Sequence, residues 1–277
     1  MSRLLAVVSG TIRESMAKFT FIAFLLMSSL MLLIVTFAVN LDVVDGALAA
    51  ARLFGQDVKL AGQEISIDQL VTGIQTGTAG VLFAVGLFLS IFATANLVPV
   101  MLEKGYVDLL LSKPLSRPAL FLGRYLGALS VVALNLFYLI GGVWVVLGLK
   151  TGVWRKELLF AGAIILLTYA ILLGFMMMVG VLTRSTSITI MLSYFLFPLT
   201  AFLYIRGNLT VMLTSKVLIA VLDGLYWTLP KINEISLFMV NLTMGKPAGS
   251  IAPLLSSALF GAGCLALGTV LFTRKDY

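Results

Sequence analysis

Residues 102–123 read LEKGYVDLLLSKPLSRPALFLG and separate two strongly apolar parts of the chain. Charged residues at positions 103, 104 and 108 precede a run of leucines, and one face at helical spacing carries Leu102, Tyr106, Leu109, Leu110 and Lys113. This spacing predicts a short amphipathic helix. Pro114 disfavours helical backbone at the residue before it, so the helix is predicted to end at Lys113. We therefore expect an ordered loop with a short helix between two membrane segments.

The composition of the whole chain indicates an integral membrane protein. Hydrophobic residues make up 60% of the chain and charged residues 11%, and several apolar runs reach the roughly 20 residues that a helix needs to cross a bilayer. Six uncharged segments are predicted to span the membrane: residues 19–40, 76–97, 125–149, 158–183, 188–205 and 250–273. The predicted fold class is therefore an all-α integral membrane protein with a single transmembrane domain over residues 1–277.

Residues 1–18 and the loop at residues 98–124 are predicted to lie on one side of the membrane. Residues 1–18 have an apolar and a basic side, which is typical of an interfacial helix, and their polar residues leave no signal-peptide core. Residues 98–124 form the predicted loop, and residues 184–187 form a second, tighter turn on the same side. Basic residues are denser in these short segments, which favours the cytoplasm for this side and both termini. This orientation also depends in part on the family resemblance given below.

Two longer segments, residues 41–75 and 206–249, are predicted to lie on the outer side. The alanine-rich part 46–54 of the first is expected to be helical. Within the second, Val217–Leu229 is apolar but contains Asp223 and Gly224 and is too short to span. We interpret it as a re-entrant helix that dips into the outer leaflet between the fifth and sixth spans, which requires protein cover for its backbone.

The loop resembles the cytoplasmic loop of type-2 ATP-binding-cassette (ABC) permeases, which joins the second and third spans and contacts the ATPase subunit. The order of apolar segments resembles that family along nearly the whole chain. The resemblance implies a permease that pairs with a second, identical or paralogous, permease subunit and with two copies of an ABC ATPase. It also implies that contact with the ATPase involves Glu103, Gly105, Tyr106, Asp108, Leu109, Leu110, Pro114, Ser116, Arg117 and Arg184. Lys113, Arg117 and Arg124 could instead contact lipid phosphates, and this alternative stays open.

The residue types that are missing exclude several function classes. None of the six predicted spans contains an ionisable residue, whereas ion-coupled transporters place such residues at membrane depth. The chain has no histidine, one cysteine and no phosphate-binding loop, so we expect no catalytic triad, no metal site and no ATP hydrolysis in this chain. The net charge of +7 is spread singly between apolar runs and does not indicate nucleic-acid binding. Energy for transport would come from ATP and Mg²⁺ in a partner ATPase.

The predicted activity is export of an apolar or amphipathic substrate, such as a lipid, a lipid-linked glycan or a drug, across a prokaryotic cytoplasmic membrane. In the family the path lies between two subunits, and Tyr138, Tyr194 and Tyr204 could offer aromatic faces to a sugar. Met176–Met178 could suggest copper, but three adjacent helical residues point in different directions, so packing is favoured. The alternative function is a membrane scaffold that anchors a partner complex without transport.

Overall fold

The computed structural model describes residues 2–16, 19–44, 47–53, 56–57, 67–102, 116–207 and 215–274. Most of these residues are helical, and the rest form three short strands and the connections between elements. The helices are α1 (Ser2–Met16), α2 (Phe19–Ala38), α3 (Ile67–Val81), α4 (Leu87–Thr94), α5 (Leu97–Met101), α6 (Arg117–Thr151), α7 (Glu157–Thr183), α8 (Thr186–Tyr204), α9 (Lys216–Thr228), α10 (Ile232–Thr243) and α11 (Ala252–Arg274). The strands are β1 (Val39–Val44), β2 (Ala47–Leu53) and β3 (Gln56–Asp57).

Five helical stretches are long and apolar enough to cross a membrane. They are Asp68–Met101, Arg117–Thr151, Glu157–Thr183, Thr186–Tyr204 and Ala252–Arg274. The predicted first span corresponds to α2, in which Phe24–Phe37 is a shorter apolar stretch. The prediction of a helical membrane protein is therefore confirmed, and the six-span arrangement stays a prediction.

Helix α7 forms the centre of the bundle and packs against α6, α8, α10 and α11. Most of its residues are buried, and Met176 and Met177 lie in the hydrophobic core as the packing interpretation predicted. The closest approach is between α7 and α11, where a Cβ atom at Gly174 would lie 2.7 Å from the carbonyl oxygen of Gly261. Only glycine permits two helix backbones to come this close.

Two helices begin well before the predicted spans. Helix α3 begins at Ile67 instead of residue 76, and α6 begins at Arg117 instead of residue 125. The predicted loop 98–124 is also shorter, because α5 occupies Leu97–Met101. Both helices extend beyond the predicted spans because the structure gives their polar side chains protein partners. Arg124, for example, is buried and forms a salt bridge with Glu14.

The prediction of a helix over residues 46–54 is wrong, because Ala47–Leu53 is strand β2. It pairs with β1 in antiparallel register, from Val39 opposite Leu53 to Val44 opposite Ala47, with one irregularity between Asp42 and Val43. Pairing with a valine-rich neighbour satisfies the backbone of β2 and outweighs the helix propensity of alanine.

A π-helical segment, Leu82–Gly86, joins α3 to α4 without ending the helix. The buried side chains agree with it: Gln75 and Ile91 are both fully buried, although sixteen residues of uninterrupted α-helix would place them about 160° apart around the axis. The i→i+5 turn takes up one residue more than an α-helical turn and so brings the buried positions on its two sides closer to one face.

The segment after α8, predicted to lie on the outer side, contains the helix pair α9 and α10, joined at Leu229–Lys231. Arg206, just after α8, forms a 2.9 Å ion pair with Asp223 of α9 and lies over the ring of Tyr226. Burial, aided by the Glu234 carboxylate that accepts its hydrogen bond, raises the pKa of Tyr226 to about 12. The buried Lys231 donates to Ser256 of α11. The predicted re-entrant segment thus corresponds to α9, which these contacts hold in place beside α10. Its position in a membrane remains a prediction.

Candidate functional site: the Arg117 end of the bundle

We call the two ends of the bundle the Arg117 end and the Arg155 end. The Arg117 end contains the C-termini of α5, α7 and α11 and the N-termini of α6 and α8, with α1 packed beside them. The Arg155 end contains the C-terminus of α6 and the N-termini of α3, α7 and α11. The predicted ATPase-contacting residues that the structure describes, namely Ser116, Arg117 and Arg184, all lie at the Arg117 end.

The middle of the predicted loop, residues 103–115, lies outside the described residues. Glu103, Gly105, Tyr106, Asp108, Leu109, Leu110 and Pro114 are among them. Their roles stay predictions. The points where the chain leaves and re-enters the described structure are Leu102 and Ser116.

Both flanks of residues 103–115 are anchored in the core. On the first side, Met101 and Leu102 are buried in the main hydrophobic cluster. On the second side, Ser116 has extended backbone and its carbonyl accepts the amide of Leu120 at 3.0 Å, which starts α6. Pro118 in the first helical turn costs no hydrogen bond there. Phe121, one turn later, is fully buried.

The start of α6 is fixed to the end of α11. Arg117 Nη1 donates to the carbonyl oxygen of Thr273 at 3.2 Å, where a cation also interacts favourably with the negative end of the α11 dipole. The rings of Phe121 and Phe272 stack with centroids 5.3 Å apart. A displacement of the start of α6 therefore has to move α11 with it.

Helix α1 packs closely against α6 at two glycines of α6. A Cβ atom at Gly123 would lie 2.6 Å from Val7 Cγ1, and one at Gly127 would lie 2.5 Å from Thr11 Cβ. Arg124, between them, pairs with Glu14. The prediction of a helix over residues 1–18 is confirmed for Ser2–Met16. The packing of α1 against α6 was not predicted, although the Gly-x-x-x-Gly spacing of Gly123 and Gly127 indicates a close contact between helices.

The predicted tight turn at residues 184–187 is confirmed. Arg184 is exposed and has left-handed backbone (φ 53°) where α7 ends. The hydroxyl of Ser185 accepts a hydrogen bond from the Ile188 amide at 3.4 Å and caps α8. The turn holds the Arg184 side chain at the surface of the Arg117 end.

The exposed charge at this end is basic. Arg13, Arg184 and Arg274 are exposed, and Glu14 is the one carboxylate among the residues described at this end. Such a surface suits an acidic protein partner or anionic lipids.

The three tyrosines predicted for a substrate path have separate partners. Tyr138 lies 3.2 Å from the hydroxyl of Ser29 on α2. Tyr194 donates to the Phe88 carbonyl at 2.9 Å and stacks on the Phe88 ring. Tyr204 lies near Tyr226 of α9. The structure gives no contact between them, so a shared path stays a prediction.

No family model matches the chain, and no curated protein matches it significantly. The functional inference therefore depends on the residues themselves.

Proposed function

We propose that this chain is the membrane-spanning permease subunit of an ABC transporter, and that residues 103–115 dock onto a separate ATPase. The observation that supports this most directly is the anchoring of both loop flanks, through Leu102 and Phe121, in the buried core. When a loop is anchored in this way, its displacement is transmitted to the helices of the bundle. A loop attached to exposed helix ends would bend without moving them.

The coupling would follow the contacts at the Arg117 end. ATP-driven closure of two ATPase subunits would displace the loop and the Arg184 turn together. Displacement of the start of α6 would move α11 through the Arg117–Thr273 contact. It would also move α1, which packs against α6 at Gly123 and Gly127. Pro114, with its fixed φ, would stiffen the junction between the docking helix and the loop.

An apolar or amphipathic substrate fits the polar groups inside the bundle. These are uncharged: Ser28 donates to Asn135 at 2.7 Å, and Tyr169 donates to Thr94 at 3.0 Å. The described helices have no carboxylate or ammonium group at mid-membrane depth that would offset the free-energy cost of desolvating an ion. We therefore propose an exporter of a lipid, a lipid-linked glycan or a hydrophobic drug, with the path between two permease subunits.

The test of the ATPase partner is co-purification in mild detergent with a candidate ABC ATPase. We expect the intact protein to retain the ATPase and the variant Leu109→Ser, Leu110→Ser, Leu111→Ser to lose it, because the serines remove the apolar face of the docking helix. A matched control is Val217→Ser, Leu218→Ser, Val221→Ser, which changes three exposed apolar residues of α9 toward the other end of the bundle. This control should retain the ATPase.

Two outcomes would contradict the proposal. If the intact protein retains no ATPase, the scaffold function becomes the better proposal, with residues 41–75 and 206–249 as the binding surfaces to examine. If the α9 variant loses the ATPase as readily as the loop variant, the docking surface is not the loop.

The orientation makes a separate prediction. With the Arg117 end and its exposed arginines in the cytoplasm of a prokaryotic cell, position 60 lies outside. A Leu60→Cys variant, made with the buried Cys264 changed to serine, should react with an impermeant maleimide in intact cells. Reaction only after the cells are opened would reverse the orientation.

A further inference from the structure

A polar cleft at the Arg155 end has no part in the proposed coupling. It lies between the first turns of α3, the connection from α6 to α7 and the turn after α10, and its volume is about 520 Å³. This lies within the range of about 300–1,000 Å³ typical of small-molecule sites. The side chains that carry its chemistry are Asp68, Thr72, Thr76, Arg155 and Lys246.

Arg155 is the fixed donor of this cleft. One of its nitrogens, Nη1, donates to the hydroxyl of Thr72, and the other, Nη2, lies 3.5 Å from a carboxylate oxygen of Glu157. The second contact is long, and the other carboxylate oxygen of Glu157 is buried without a partner among the described residues. The planar guanidinium has five N–H donors and matches the oxygens of a phosphate or carboxylate. Arg155 thus keeps donors for a further acceptor.

The turn after α10 is shaped to bring a second cation beside Arg155. Gly245 has left-handed backbone (φ 68°), and a Cβ atom there would lie 3.0 Å from Arg155 Nη2. The amide of Lys246 donates to the Asn241 carbonyl at 2.9 Å, which closes the turn. Glycine at this position therefore lets the backbone pass close to the guanidinium and leaves the exposed Lys246 on the cleft wall.

Asp68 adds a negative charge on the same cleft. It is exposed, and within the described part of the chain neither Asp68 nor Lys246 forms an ion pair. A dianion would be repelled by Asp68, whereas a ligand with both a phosphate and an ammonium group would find a partner for each. The hydroxyls of Thr72 and Thr76 also line the cleft. Their hydrogens are donated to the Asp68 carbonyl and the Thr243 hydroxyl, so they have acceptor capacity left for an ammonium group.

We propose that this cleft binds a zwitterionic phosphate headgroup, with the phosphate on Arg155 and Lys246 and the amine on Asp68. The cleft lies where membrane helices end, which is the depth of lipid headgroups. A phospholipid that carries a primary amine has this chemistry. The site is distinct from the ATPase-docking surface and does not depend on the proposed transport function.

The test is native mass spectrometry of the full-length protein released from detergent, with dihexanoyl phosphatidylethanolamine, dihexanoyl phosphatidylglycerol, dihexanoylglycerol and inorganic phosphate as probes. We expect the ethanolamine lipid to bind best and dihexanoylglycerol not to bind. Arg155→Gln should weaken both phospholipids about tenfold, and Lys246→Gln about threefold to tenfold, as for loss of a charge-assisted contact. Asp68→Asn should weaken only the ethanolamine lipid, down to the level of the glycerol lipid.

Lys156→Gln is the matched control, because Lys156 is exposed on the same connection but does not line the cleft. It should bind both phospholipids as the intact protein does. Lys246→Gln keeps the test decisive if Arg155→Gln fails to fold, since the turn uses only the Lys246 backbone. If inorganic phosphate binds as tightly as the lipids with the same dependence on Arg155, the ligand is a soluble phosphate.

Unchanged phospholipid binding in Lys246→Gln and Arg155→Gln would overturn the proposal, as would an intact protein that binds no phosphate probe. The measurement needs no ATPase. Failure of the co-purification experiment would therefore leave it intact, and failure here would leave the permease proposal intact.

Discussion

A Gly261→Leu substitution should strongly destabilise the folded protein. Gly261 lies at the closest approach of α11 to α7, where an added Cβ atom would fall 2.8 Å from Ile171 Cα. Because the obstructing atom belongs to a backbone, no side-chain rotation relieves the overlap, and the two helices have to separate. Overpacking of this kind costs about 3 kcal/mol. Thermal unfolding in detergent, followed by circular dichroism, measures the loss.

Gly263→Leu is the matched control for this prediction. Gly263 is two residues away on α11, is exposed, and has no atom within 4 Å of an added Cβ. Both substitutions replace a helical glycine by leucine, so the gain in helix propensity is the same. If both variants unfold at the same temperature, the close contact of α7 and α11 does not contribute to stability.

The second large effect is expected for Gly127→Leu, which should release α1 from α6. The leucine would displace Thr11, which a Cβ atom alone would already approach to 2.5 Å. We expect a cost of about 2 kcal/mol for the packing of α1. The exposed Arg13 reports the release, because trypsin cleaves locally opened segments in proportion to their population. Cleavage there should accelerate tenfold or more.

A Gly141→Leu variant on the same helix provides the comparison, since nothing lies within 4 Å of a Cβ atom there. Its cleavage rate should equal that of the intact protein. Equal rates in all three proteins would mean that the close contact at Gly127 does not hold α1 on α6. If the permease proposal is correct, Gly127→Leu should also lower ATP-driven transport while the ATPase stays bound.

The helical bundle was predictable from sequence because long uncharged runs have one stable solution in a bilayer. The ends of the helices were not, because a polar residue is tolerated in a helix once another residue pairs with it. Arg124 is the example: its partner Glu14 lies 110 positions away, and no local pattern reveals that pairing. The same holds for Arg155 and Thr72, which line the Arg155-end cleft.

Two other features had signals that were readable. The strands β1 and β2 flank Asp45-Gly46, a dipeptide typical of short hairpin turns, which should have outweighed the alanines that follow. The burial of both Gln75 and Ile91 indicates the π-helical segment at Leu82–Gly86, but only once the buried face of the helix is known. At the candidate site, Ser116, Arg117 and Arg184 were placed at one end by span counting alone.

The π-helical segment has a consequence for changes in chain length. Removing one residue within an α-helix rotates everything beyond it by about 100°, which would turn Ile91 and Thr94 away from the core. Removing one residue between Leu82 and Gly86 would instead leave an ordinary α-helical turn with both buried faces still aligned. This short stretch is therefore the place in α3–α4 where the chain can lose a residue and keep its fold, and related chains that differ in length by one are expected to differ here.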